Sequence, residues 1–121
     1  MKILIIEDDE ITLQIITHIL ENANYEVVSL SNGINILEAL ENSKADLLIT
    51  DIFMPVVDGL EVISIIKDKF PNFPIIAISA DSKYSKQDSY LPAAQAIGAD
   101  SILTKPIDKD YLLKIVEELN I

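Results

Sequence analysis

The sequence contains no cysteine. That excludes disulfide bridges and thiolate metal sites, and it suits a reducing, cytoplasmic setting. It contains no apolar run approaching the ~18 residues that a membrane-spanning helix needs. The opening Met1-Lys2-Ile3-Leu4-Ile5-Ile6 meets acidic residues too soon for a signal peptide. Basic residues are scarce, 9 against 20 acidic ones, for a formal net charge of −11. Such a chain repels a phosphate backbone, so direct nucleic-acid binding is not expected, nor is a membrane partner. There is no repeat, low-complexity stretch or linker. His18 is the only histidine and reads as an ordinary helix residue. What is present is a chain of 121 residues, half of them hydrophobic. That is enough for one domain over 1–121 with a real core.

The hydrophobic pattern alternates between two periods. Ile3 to Ile6 is a short continuous apolar run ending in charge, as a buried parallel strand would be. Ile11, Ile15, Ile16, Ile19 and Leu20 follow at helical spacing. Glu26 to Leu30 reads as the second strand, Asn32-Gly33 as a turn and Ile34 to Leu40 as a helix. Leu47-Leu48-Ile49 is the third strand, and Asp58-Gly59 opens a helix with Val62, Ile63, Ile66 and Phe70 on one face. Pro71 and Pro74 bracket the turn into strand four, Ile75 to Ser79. Ala93 to Ile97 reads as helical, stopped by Gly98. Ser101 to Thr104 is a weak fifth strand, and Leu112, Ile115, Val116 and Leu119 form the last helix face.

Repeated β–α units predict an α/β fold, a doubly wound, flavodoxin-like five-stranded parallel sheet with five helices. The expected strand order is 2-1-3-4-5. Right-handed crossovers put every strand's carboxyl end on one edge, where ligands bind in such sheets. That edge collects Glu7-Asp8-Asp9 after strand one, Thr50-Asp51 after strand three, Ser79 after strand four and Lys105-Pro106 after strand five. Glu7, Asp8 and Asp51 crowd carboxylates into one crevice, and like charges that close need compensation. A hard divalent cation supplies it, and all-oxygen ligands suit Mg²⁺. Lys105 adds a second positive charge and Ser79 a hydroxyl donor, a pattern suited to a transferring phosphoryl group. Asp51, at the end of the central strand, is the best candidate nucleophile. Taken singly, each residue has a plainer reading: Asp8 or Asp9 as a helix cap, Asp51 as a turn residue, Lys105 as a surface lysine, Ser79 as structural.

As a set, Ile5-Ile6-Glu7-Asp8-Asp9, Thr50-Asp51-Ile52-Phe53-Met54-Pro55 with Asp58-Gly59, Ile78-Ser79-Ala80, Gly98-Ala99-Asp100 and Leu103-Thr104-Lys105-Pro106 resemble the receiver domains of two-component signalling, in particular chemotaxis-regulator-like single receivers. The resemblance covers the whole chain. It implies that Asp51 is phosphorylated by a sensor histidine kinase, a histidine phosphotransfer protein or a small phosphodonor. It implies that Asp8, Asp51 and the main-chain carbonyl of Phe53 contact Mg²⁺, with Glu7 acting through water. It implies that Ser79 bonds a phosphoryl oxygen, that Lys105 pairs with Asp51 or its phosphoryl group, and that the small Ala80 leaves the site accessible. The Lys105-Pro106 peptide is commonly cis in this family. The downstream partner would be a protein target or a fused output domain, and the domain would catalyse only its own phosphoryl transfer and dephosphorylation.

Other functions fit less well. A flavodoxin-like electron carrier needs a donor-rich loop after strand one, and Glu7-Asp8-Asp9 would repel its flavin phosphate. A phosphohydrolase with an Asp nucleophile usually has a second Asp two residues on, where Phe53 stands. A degenerate receiver that only docks would normally have lost Asp51 or Lys105. Three departures from the family pattern matter, two on the output side and one at the phosphoryl site. Ile102 occupies the usual switch-aromatic position, and the polar stretch within 81–95 is longer than usual. Phe53 is bulky beside the phosphoryl site and is expected to hinder the hydrolytic water. Phe53→Asn is therefore predicted to shorten the lifetime of the phosphorylated protein. An unchanged autodephosphorylation rate would remove that role from Phe53.

Overall fold

The computed structural model describes residues 1–52, 58–79 and 98–120. Its elements in chain order are β1 (Lys2–Ile6), α1 (Glu10–Asn22), β2 (Glu26–Leu30), α2 (Ile36–Ser43), β3 (Leu47–Asp51), α3 (Gly59–Lys69), β4 (Ile75–Ser79), β5 (Ser101–Thr104) and α4 (Lys109–Leu119). The strands form one five-stranded sheet in the order β2-β1-β3-β4-β5. Every neighbouring pair is parallel. Fold class and strand order are those expected from the alternating periods. Four helices lie among the described residues. The helix expected over Ala93 to Ile97 and the long stretch within 81–95 fall outside them, as do Phe53 and Ala80. Among the described residues no helix is long and apolar enough to cross a membrane.

The continuous apolar runs are explained by two-sided burial, because successive side chains of a strand face opposite layers. One layer joins Ile3, Ile5, Leu47, Ile49, Ile76 and Ile78 to Ile16, Ile19 and Leu20 of α1 and to Leu112, Ile115 and Val116 of α4. The other joins Leu4, Ile6, Leu48 and Ala77 to Ile36 and Leu40 of α2 and to Val62, Ile63 and Ile66 of α3. Burying each such Ile, Leu or Val contributes roughly 1.5–3 kcal/mol, so these layers outweigh any local preference of the short strands. Edge strands β2 and β5 are less buried than β3 and β4.

Helix details depart from the sequence pattern in identifiable ways. In α1 the buried stripe is Thr12, Ile16, Ile19 and Leu20. Ile11 and Ile15 face outward, 70% and 45% exposed. At 100° per residue they lie off the stripe centred on Ile16, and Thr12 takes the inward position instead. Helix α2 starts at Ile36, because Asn35 adopts the left-handed conformation (φ 59°) and cannot be its first turn. Phe70 is the C-cap of α3 and only half-buried.

Gly59 connects this fold to its functional edge. Its N–H donates to the Ile52 carbonyl at 2.9 Å. A Cβ at position 59 would overlap the Asp51 carbonyl and stand 2.6 Å from Ile52 Cα. The start of α3 therefore rests on main chain at the end of β3, at a distance only glycine permits. Gly59→Ala is predicted to destabilise the protein by about 1–3 kcal/mol, the range for overpacking, read as a lower midpoint in denaturant unfolding. A midpoint equal to that of the parent chain would show that this approach is not needed.

Candidate functional site

The carboxyl ends of β1, β3, β4 and β5 bring the expected polar residues to one edge. Glu7 extends the β1 ladder by one bond, its N–H donating to the Leu30 carbonyl at 3.3 Å. That places its side chain inside, 1% exposed. Asp9 turns the chain into α1. Its carboxylate accepts from the Thr12 hydroxyl at 2.6 Å and from the Ile11 N–H at 3.4 Å. Asp9 is thus the helix cap, and Asp8 is left exposed between cap and strand. The Thr12 hydroxyl is the main reason that the Asp9 carboxyl sits below its ordinary range.

Asp51 ends β3 and is 4% exposed. The Thr50 hydroxyl donates to its main-chain carbonyl at 3.1 Å, and the following Ile52 N–H donates to the Ile78 carbonyl at 2.9 Å. Neighbouring β4 ends in Ser79, whose carbonyl accepts the Lys105 N–H at 2.8 Å. The Lys105-Pro106 peptide is cis, as the family resemblance implies. Lys105 reaches back under the edge. Its Nζ lies 2.9 Å from Glu7 Oε1 and 3.3 Å from Asp51 Oδ2. Glu7 Oε2 accepts the Asp9 N–H at 3.2 Å.

One ammonium therefore stands between two buried carboxylates, and the protonation directions follow. Burial raises the Glu7 pKa, and the neighbouring Asp51 raises it further against the opposing pull of Lys105. Burial acts to lower Lys105, but Glu7 and Asp51 more than offset it, so the ammonium is held more firmly than usual. Carboxylate oxygens of Glu7, Asp8 and Asp51 lie within 4.8 Å of one another. These hard oxygen donors, two of them buried, fit a small divalent cation such as Mg²⁺. Ser79 Oγ is buried and finds no hydrogen-bond partner among the described residues. A buried hydroxyl left so costs about 1–3 kcal/mol, which is consistent with a donor reserved for a ligand. Phe53, expected to give a main-chain ligand, lies outside the described residues.

Residues 3–117 match the model of the response regulator receiver domain. The chain belongs to that family. It is 32% identical over 87% of its length to the alkaline phosphatase synthesis transcriptional regulatory protein PhoP of Bacillus subtilis, covering 42% of that protein. It is 34% identical over 93% of its length to the DNA-binding transcriptional regulator NtrC of Escherichia coli, covering 23% of it. It is 32% identical over 95% of its length to the CAI-1 autoinducer sensor kinase/phosphatase CqsS of Vibrio cholerae, covering 17% of it. The chain thus spans less than half the length of these relatives. Among solved structures it superposes on a response regulator from Chloroflexus aurantiacus with a TM-score of 0.88 at 25% identity, covering 98% of this chain and 95% of that one. The chemotaxis protein CheY4 of Vibrio cholerae gives 0.83 at 27% identity, covering 98% and 97%. The protein is a receiver domain of two-component signalling, a family that binds Mg²⁺ through an acidic pocket of this kind.

The strand-end residues were legible as a group, but their pairing was not. Nothing in the sequence distinguishes Asp9 as the cap from Asp8, or assigns Lys105 to Glu7 as well as Asp51. Thr12 was not singled out, since a threonine in an apolar pattern carries no signal until its partner is known.

The Glu7 shift has a definite sign. The folded state keeps the Glu7 proton above its ordinary value of 4.5. The stability this contributes is present below that pH and is lost as pH rises through the folded value. Glu7→Gln keeps a neutral group there at all pH, so its stability curve is predicted to fall less steeply than that of the parent chain above about pH 4.5. Denaturant unfolding as a function of pH measures both curves. Parallel curves would mean that Glu7 titrates normally.

Proposed function

We propose that the chain is a phosphorylation-dependent switch whose phosphoryl acceptor is Asp51. The observation that carries this reading is the Lys105 ammonium within 3.3 Å of Asp51 Oδ2, beside a buried Ser79 hydroxyl that has no partner among the described residues. An Asp51 carboxylate oxygen attacks phosphorus. The new P–O bond forms as the bond to the donor breaks, and the donor leaves with its electron pair. Lys105 balances charge on the acceptor and then on the phosphoryl oxygens, while the Ser79 hydroxyl donates to one of those oxygens. Asp8 and Asp51, with Glu7 behind them, would hold a Mg²⁺ ion, which would supply positive charge for the crowded oxygens. The donor is a sensor histidine kinase, a histidine phosphotransfer protein or a small acyl phosphate.

The output side is β5 and α4 together with the helix expected over Ala93 to Ile97, which lies outside the described residues. Phosphorylation adds charge and acceptor oxygens at the strand ends. Lys105 and Ser79 reorganise around them and bias the arrangement of the following elements, which a downstream target or fused output domain reads. At the usual aromatic switch position, Ile102 accepts the Tyr111 hydroxyl on its carbonyl at 3.4 Å. We place the whole of 1–121 in this one receiver domain, in the cytoplasm, with no activity on other substrates.

Incubation with acetyl phosphate and Mg²⁺, followed by intact-mass measurement, tests the reading. A labile adduct of one phosphoryl group is expected, absent in Asp51→Asn and without Mg²⁺. Lys105→Ala is expected to slow uptake on the order of 10²-fold, as loss of a positioned donor does elsewhere. A folded parent chain that takes up nothing from any donor would point to a docking module that has lost the chemistry.

A further inference from the structure

A second surface lies between the amino-terminal halves of α2 and α3. An open groove of about 360 Å³ is lined by Ile34, Ile36, Leu37 and Ile65, with Glu38 and Glu61 among its walls. Ile34 is 47% exposed at its mouth, one of few large apolar side chains left so open among the described residues. The charges along this helix pair are unevenly matched. Toward the carboxyl-terminal end of both helices Glu41 is paired with Lys69 at 3.4 Å. Toward the groove, Glu38 and Glu61 are exposed, and neither has an ion-pair partner among the described residues. Asp58, which caps α3 and accepts the Glu61 N–H at 2.8 Å, adds another exposed carboxylate beside them.

An apolar trough whose wall acids have no ion-pair partner among the described residues selects against acidic and purely apolar occupants alike. A second copy of this chain, at net charge −11, would bring like charge against like. We propose that the groove docks a short basic amphipathic segment of a partner protein. A few large apolar side chains would seat against Ile34, Leu37 and Ile65, flanked by lysines or arginines that meet Glu38 and Glu61. The volume suits a few side chains rather than a whole helix face. The docking step uses none of the strand-end residues and holds whether or not Asp51 is phosphorylated. The groove is nonetheless continuous with the site's support, since α3 begins at Gly59 against the Asp51 main chain.

The test uses the full chain, isotopically labelled, titrated in about 0.15 M salt and followed by amide NMR. The probes are three synthetic peptides: a Leu-Phe core flanked by lysines, the same core flanked by glutamates, and a Ser-Ser core flanked by lysines. The lysine-flanked apolar peptide is expected to saturate, with shifts confined to Gly33, Ile36, Leu37, Glu61 and Ile65 and their neighbours. Glu38→Lys with Glu61→Lys is expected to weaken it roughly tenfold or more, two exposed charge pairs' worth. Ile34→Ser is expected to weaken it without altering its salt dependence. Both variants should take up phosphate from acetyl phosphate like the parent chain, and Asp51→Asn should bind the peptide normally, which separates this proposal from the phosphoryl reading. Equal binding of the glutamate-flanked peptide, tight binding of the Ser-Ser peptide, shifts scattered over the acidic surface, or no saturation at millimolar peptide would each overturn it.

Discussion

The functional edge depends on one ammonium group. Lys105 Nζ sits between Glu7 and Asp51, at 2.9 and 3.3 Å, where two buried carboxylates would otherwise face each other unscreened. Truncating one member of a buried charge group leaves the others uncompensated, which costs far more than the net worth of the pair. The fold is arranged around making this contact. Glu7 is drawn inside by its ladder bond to Leu30, Asp51 ends a strand buried throughout, and the Lys105 main chain is tied to the end of β4 through Ser79. The crowded carboxylates belong to two strand ends, and the ammonium that screens them to a third.

This arrangement would let the proposed switch be both buried and responsive. The side chains that hold it in place belong to the two packed layers, where Ile and Leu dominate. The polar groups at the edge have several ways to satisfy one another, and the Ser79 hydroxyl is left without a partner among the described residues. A new set of acceptor oxygens on Asp51 would take up both the ammonium and that hydroxyl. The cost of their burial then becomes a driving force for rearrangement rather than a defect.

Much of this was legible in the sequence, for physical reasons that also mark where legibility stopped. Parallel strands buried on both faces leave short apolar runs such as Ile3 to Ile6 and Ile75 to Ile78, and the topology rules then put their polar successors together. The α1 pattern misled, because Ile11 and Ile15 share the helical spacing of the core residues but lie off its stripe, while Thr12 is buried through its bond to Asp9. The late start of α2 rests on a left-handed Asn35, which no periodicity announces. Gly59 was visible as a helix start, but its contact with the Asp51 main chain is tertiary and left no trace in spacing. The α2–α3 groove was illegible for the same reason: Ile34 reads as the start of the second helix, and only the packing shows that it is left outside.

Of the carboxylates gathered at this edge, Asp51 alone is proposed to become an acyl phosphate. Borohydride reduces an acyl phosphate to the alcohol and so marks the acceptor permanently. Treatment of the protein after incubation with acetyl phosphate and Mg²⁺, followed by peptide mass mapping, reads out the position. The account predicts homoserine at position 51 and nowhere else. Homoserine at Asp8, Asp9 or Asp58, or unmodified aspartate throughout in a protein that carries the adduct, would contradict it.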